Sequence, residues 1–174
     1  MTTTTTATGP RRPRPVRLML WGVLAGLLSL PAILGFPWTA SDFVLMALML
    51  GALGGGIEYL FARSANPFAR AGSAMLVIVC FLTIWVNLAV GMIGSEDNPY
   101  NLLFMGLVPA AIAGAVLVRF RPAGLAWIAL GCGLVQAALA LEGMAADPRG
   151  GRLSLLFVVF WLIAAGLFRA GARR

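Results

Sequence analysis

Residues 85–101 read WVNLAVGMIGSEDNPYN. An apolar run carrying one amide, Asn87, breaks into Gly-Ser-Glu-Asp-Asn-Pro, where Glu96 and Asp97 stand side by side. A run this apolar suits a helix covered by lipid, whereas adjacent carboxylates require water. The stretch therefore predicts a membrane helix that ends at an acidic corner on the outer side. Asn98 followed by Pro99 predicts the start of the next helix, with Asn98 as N-cap and Pro99 in the first turn.

Composition extends this reading to the whole chain. Of 174 residues, 60% are hydrophobic and 11% charged, against about a quarter charged in a soluble domain. A mean hydropathy of +0.92 fits a polytopic membrane protein. The net charge of +7 does not indicate nucleic-acid binding, because the charges lie between apolar runs and not in an aromatic-lined patch. With no histidine there is no usual axial ligand for a b-type haem and no common nitrogen ligand for zinc or copper. Cys80 and Cys132 each fall midway along an apolar run, as small packing residues do. No cofactor or metal site is expected.

Outward from the corner, six apolar runs emerge. Residues 1–15 are Thr- and Pro-rich and predict a disordered cytoplasmic tail. The first helix covers about 16–36, with a bend at Pro31 and a small-residue stripe of Gly22, Gly26 and Ser29. Thr39-Ala-Ser-Asp42 matches a capping box and opens a second helix to about Phe61, with Gly51 and Gly55 as a close-contact motif. Asn66 and Pro67 cap a third helix over 68–93. The fourth reaches about Val118, the fifth spans 123–144, and a polar loop over 145–151 precedes a short sixth helix at 153–168. A single transmembrane domain over 16–169 and a basic cytoplasmic tail over 170–174 follow.

Short turns make successive helices antiparallel, so six spans put both termini on one side. Arginine placement agrees. Arg149 and Arg152 fall on the opposite side, and the remaining eleven of the thirteen arginines fall on the side of the termini. By the positive-inside rule the termini are cytoplasmic. The expected fold is all-α: a polytopic bundle of six transmembrane helices. The two halves share only apolar character, so nothing supports an inverted repeat.

Few residues have chemistry to offer. Glu58 reads as the one carboxylate inside a helix. Intramembrane carboxylates mark ion pathways, but this one lies near Arg63, where an interfacial pair with Arg63, Arg70, Arg119 or Arg121 is the plainer reading. Thr83 and Asn87 share a helix face with Ser73 and Cys80, and Gln136 on the fifth helix is placed to meet Asn87. They either line a polar path or hold helices in register. Glu96, Asp97, Asn98 and Asn101 offer oxygen atoms to a hard cation, or cap the fourth helix. Arg149 and Arg152 are the available countercharges for the acidic pair. No phosphate loop, nucleophile elbow or catalytic histidine supports an enzyme.

Residues 85–101 resemble the signature of an uncharacterised family of small six-helix bacterial integral membrane proteins, whose segment is of the WxNLAVGxIGSEDNPxN type. Asp42-Phe43, Glu58-Tyr59, the Arg119-Phe120-Arg121-Pro122 turn, and Trp161 with Leu167-Phe168-Arg169 fit the same pattern. The resemblance departs at Tyr100, where a smaller residue is expected. It implies no catalytic role, but it marks the acidic corner as a designed feature. Two functions remain: a non-enzymatic accessory or scaffold component of a membrane complex, or a small-solute or ion carrier or channel with an acidic periplasmic mouth. The implied partners are the lipid bilayer and other membrane subunits or further copies of the chain, with no nucleic acid.

Overall fold

The computed structural model describes residues 15–64 and 66–173. The predicted tail before Pro15 lies outside the described residues. Six helices appear in order: α1 (Pro15–Ile33), α2 (Ala40–Ala62), α3 (Pro67–Ala89), α4 (Asn101–Leu117), α5 (Pro122–Gly143) and α6 (Pro148–Ala172). All but α4 are long and apolar enough to cross a membrane; α4 has 17 residues. The residues group into two compact units, one up to Gly54 and one from Gly55 onward.

The first unit holds α1 and most of α2. Helix α1 runs through Pro31 and stops at Ile33, short of the predicted end. Gly35 turns the chain at φ 70°, and the Phe36 and Gly35 N–H groups reach back to the Pro31 and Ala32 carbonyls. That closure satisfies carbonyls that would otherwise lack donors. The capping box of α2 forms: Asp42 Oδ2 accepts from the Thr39 N–H (2.7 Å) and hydroxyl (2.8 Å). Gly54 is the close-contact glycine here; an added Cβ would stand 2.7 Å from Leu24 Cδ1. Gly22, Gly26, Gly51 and Gly55, which the sequence nominates, have nothing within 4 Å.

The second unit is a ring of helices. Helix α3 packs on α4 and α6, and α5 packs on the same two, so each helix touches two neighbours. Val79, Phe104, Ala129, Phe157, Trp161 and Phe168 fill the centre. Small residues let the backbones approach, as lipid-embedded helices require. Gly72 lies against the Phe168 ring, Gly133 against Trp161 Cβ, and Gly171 against the backbone of Ala69. The outer faces carry exposed Leu, Val and Ile on every helix, which suits a lipid surround.

Helix α6 departs most from the sequence reading. It starts at Pro148, not Leu153, runs past Phe168 through residues assigned to the tail, and with 25 residues is the longest helix. Asp147 caps it and Pro148 takes the first turn, the same Asx-Pro arrangement as Asn66-Pro67. Gly150 and Gly151 are helical and buried because α6 presses on its neighbours there.

Gly151 supplies a test. An added Cβ would stand 2.9 Å from the Ala140 carbonyl oxygen and 2.8 Å from Met144 Cβ, so backbone must move. Gly151→Ala is expected to destabilise by about 1–3 kcal/mol, the usual cost of overpacking. Gly131→Ala, on an open face of α5, is expected to be neutral or slightly stabilising. Thermal unfolding in detergent reads both, and equal effects would refute the tight α5–α6 seam.

Candidate functional site

The chain between α3 and α4 folds into a compact corner built from amides. Helix α3 ends because Gly91 (φ 76°) takes a left-handed conformation, and Gly94 (φ 72°) does so again. A side chain at Gly91 would also strike the Ser95 carbonyl. Asn101, 3% exposed, spans the turn. Its Oδ1 accepts from the N–H groups of Met92 (3.1 Å) and Ile93 (2.9 Å), and its Nδ2 donates to the Ser95 carbonyl (2.8 Å). Asn98 Nδ2 donates to the Ile93 carbonyl (2.9 Å), while its Oδ1 accepts from the Tyr100 N–H (3.0 Å). These bonds give partners to backbone groups of the turn, the buried Met92 and Ile93 N–H groups among them.

Asn98 thus makes a cap-like bond, but α4 itself begins at Asn101, later than Asn98-Pro99 predicts. Residues 98–100 form tight turns first, with the Asn101 N–H on the Asn98 carbonyl and that of Leu102 on the Pro99 carbonyl. Tyr100, where the resemblance expects a small residue, sends its hydroxyl to the Leu139 carbonyl (2.9 Å) and stacks edge-on against Phe104. Burial, with the Glu142 carboxylate alongside, raises its phenol above the ordinary range.

The corner is tied to the α5–α6 loop by Asp147. Its Oδ1 accepts from the Arg149 and Gly150 N–H groups (3.0 Å each), and its Oδ2 accepts from the Gly94 N–H (3.0 Å). The sequence offered Arg149 and Arg152 as available countercharges for Glu96 and Asp97. Instead, Glu96 and Asp97 stand exposed at the tip, and the link between the loops is carboxylate to backbone. Gly150 allows the approach, because a Cβ there would meet the Met92 carbonyl and the Asp147 carboxylate. Hydrogen bonds from Gly150 and Gly94, with help from the Arg149 N–H and its charge, hold the Asp147 carboxyl below its usual range.

The remaining candidates lie elsewhere. Thr83 and Asn87 are buried on α3; the Thr83 hydroxyl donates to the Val79 carbonyl (2.8 Å) and Asn87 Nδ2 to the Thr83 carbonyl (2.6 Å). Asn87 Oδ1 is buried and accepts no hydrogen bond from the described residues. Gln136 bonds α6 and not Asn87. Its Nε2 donates to Ser154 Oγ (3.1 Å) and its Oε1 accepts from Trp161 Nε1 (3.1 Å), all three residues fully buried. Glu58 sits half-buried one turn before Arg63, and Arg63 stacks on the Tyr59 ring with its guanidinium carbon 3.7 Å from the centroid. Glu58 is not the one helical carboxylate, since Asp42 lies in α2 and Glu142 in α5. Among the described residues no group of three or more Cys, Asp or Glu is placed to hold a metal.

Asp147, Ser154 and Trp161 were missed as partners. Asp147 was detectable, because Asp-Pro before an apolar run is the same signal as Asn66-Pro67. Ser154 and Trp161 carry no local signal; only the facing of α5 and α6 makes them partners for Gln136.

Five long apolar helices with exposed apolar faces define the class: this is a multi-pass integral membrane protein. Comparisons with protein-family models, with curated proteins and with solved structures return no match to the chain.

Asp147 yields a pH prediction. A depressed folded-state carboxyl contributes stability in full above the unfolded value, about 3.9, and loses it as pH falls through the lower folded value. Asp147→Asn is therefore expected to melt below wild type at pH 7, with the gap closing as pH drops below about 4. Asp97→Asn, at the exposed tip, should stay within about 0.5 kcal/mol of wild type. Melting curves from pH 7 to pH 3 check both, and a gap that persists unchanged at pH 3 would remove the carboxylate's charge from the account.

Proposed function

We propose that this protein is a non-enzymatic component of a bacterial inner membrane, acting as an accessory or scaffold subunit of a larger complex or as a homo-oligomer. One observation carries this reading. The polar group buried at the α5–α6 contact, Gln136, is engaged on both its nitrogen and its oxygen by Ser154 and Trp161. Polar groups so engaged hold helices in register and offer little to a passing solute.

Both termini face the cytoplasm in this proposal. The α2–α3 turn, the α4–α5 turn and the end of α6 bring Arg63, Arg70, Arg119, Arg121, Arg169 and Arg173 to one end of the second unit. Glu96, Asp97, Glu142 and Asp147 lie toward the other, with Arg149 and Arg152. That asymmetry favours the basic end on the cytoplasmic side. Helix α4 supports a sixth crossing despite its length, since it runs from the corner to the Arg119–Phe120 turn, between the same two ends of the unit as α3 and α5.

A carrier or channel is the second reading, and one observation favours it: the buried Asn87 Oδ1, which accepts no hydrogen bond from the described residues. A cation or a solute N–H passing that atom would satisfy it.

Two measurements test these readings. In a background lacking Cys80 and Cys132, cysteines at Ser95 and Ser64 are expected to label from opposite sides with an impermeant reagent, Ser95 from the periplasm. Labelling of both from one side would refute the topology. Purification from mild detergent is expected to retain a stoichiometric partner or further copies of the chain. A monomer that conducts ions in proteoliposomes, with conduction lost in Asn87→Leu, would favour the carrier.

A further inference from the structure

The basic end of the second unit is built, and not only charged. Arg63 follows the last turn of α2 by one residue, and its guanidinium lies over Tyr59, 3.7 Å from the ring centroid. The Phe120 ring meets Tyr59 edge-on at 5.4 Å and stands 5.4 Å from the same guanidinium. Arg63 is therefore held against two aromatic rings, one from α2 and one from the α4–α5 turn. A stacked guanidinium keeps its edge N–H groups available, and its preorganised plane matches the oxygens of a phosphate.

Backbone conformation serves the same arrangement. Arg119 (φ 54°) and Phe120 (φ 57°) are consecutive non-glycine residues in the left-handed region, which is rare, and for a bulky residue such as Phe120 it is strained. The turn sends Phe120 into contact with the core and with Tyr59, while Arg119 and Arg121 on either side are exposed. Arg70 is fixed as well, because its Nε donates to the Ser64 carbonyl (2.7 Å). That bond uses one donor of the fork and leaves the terminal nitrogens. Arg63 in the α2–α3 turn and Arg70 in the first turn of α3 thus lie at the end of the unit that also carries Arg119 and Arg121.

We infer that this end binds the phosphate of an anionic phospholipid headgroup, with Arg63 and Arg70 as the principal donors and Tyr59 and Phe120 as the platform that orients Arg63. The depth of the site favours a lipid over a free phosphate: it lies at the ends of membrane-crossing helices, where Tyr side chains sit at headgroup level. Arg is suited to bidentate phosphate contact in a way that a mobile ammonium is not. The inference holds for a scaffold and for a carrier, since it needs only that the chain is embedded in lipid.

The test uses the full chain purified in a neutral detergent. Thermal stability and native mass spectrometry are measured with phosphatidylglycerol, with phosphatidylcholine of the same acyl chains, and with inorganic phosphate. Phosphatidylglycerol is expected to raise the Tm and to remain bound, with little effect of the other two. Arg63→Gln with Arg70→Gln is expected to weaken that binding about tenfold or more, the scale of one lost charge-assisted hydrogen bond. Arg149→Gln with Arg152→Gln, at the opposite end, removes the same charge and is expected to leave it unchanged. Arg63→Lys and Tyr59→Leu keep every charge or nearly so, and each is expected to weaken binding by loss of the oriented fork; they also answer the question if the double variant fails to fold. Equal losses in the two double variants would reduce the effect to bulk charge and overturn the site. So would unchanged binding in Arg63→Lys and Tyr59→Leu together. A full Tm shift with inorganic phosphate alone would overturn the lipid assignment.

Discussion

The second unit depends on a carboxylate that is spent on backbone. Asp147 accepts from Arg149 and Gly150 at the start of α6 and from Gly94 in the loop after α3. The first two bonds answer donors that a helix N-terminus always leaves open. The third reaches 53 residues back along the chain and sets where α6 begins relative to α3. Since α6 packs along both α3 and α5, that one side chain helps to fix the register of the ring. Gly150 is part of the same device, because no larger residue would let the Met92 carbonyl and the Asp147 carboxylate approach it together.

The corner repeats this logic with amides. Asn98 and Asn101 each donate through Nδ2 and accept through Oδ1 on the chain between Met92 and Tyr100. Their side-chain oxygens accept from N–H groups of that loop. Glu96 and Asp97 remain at the tip, exposed and outside the hydrogen-bonded frame.

Inside the ring, polar side chains follow two different rules. Ser73 and Thr83 return their hydroxyls to carbonyls four residues back, at 2.8 Å, and so stay within α3. Gln136, Ser154 and Trp161 instead bond across α5 and α6. Such interhelical bonds contribute on average about 0.6 kcal/mol in a membrane, so their weight lies in choosing a register more than in holding the bundle together. Asn87 follows neither rule completely, because its Oδ1 lacks a donor among the described residues.

The class was legible in the sequence. Apolar runs of near-spanning length, Asx-Pro and Thr-x-x-Asp starts, and glycine stops are local signals, and they placed six helices and the burial of Thr83, Asn87 and Gln136, whereas the burial of Asn101 came only with the folded corner. The same signal was present at Asp147-Pro148, yet Gly150 and Gly151 made the stretch look like loop. Those glycines are helical because α6 needs close approach there, which is a property of the partner surface and not of the segment. The pairing of Gln136 with Trp161, the reach of Asp147 to Gly94 and the stacking of Arg63 on Tyr59 beside Phe120 were equally out of view. Each joins residues far apart in the chain, and only the packing of one helix against another decides which distant side chain arrives at a given polar group.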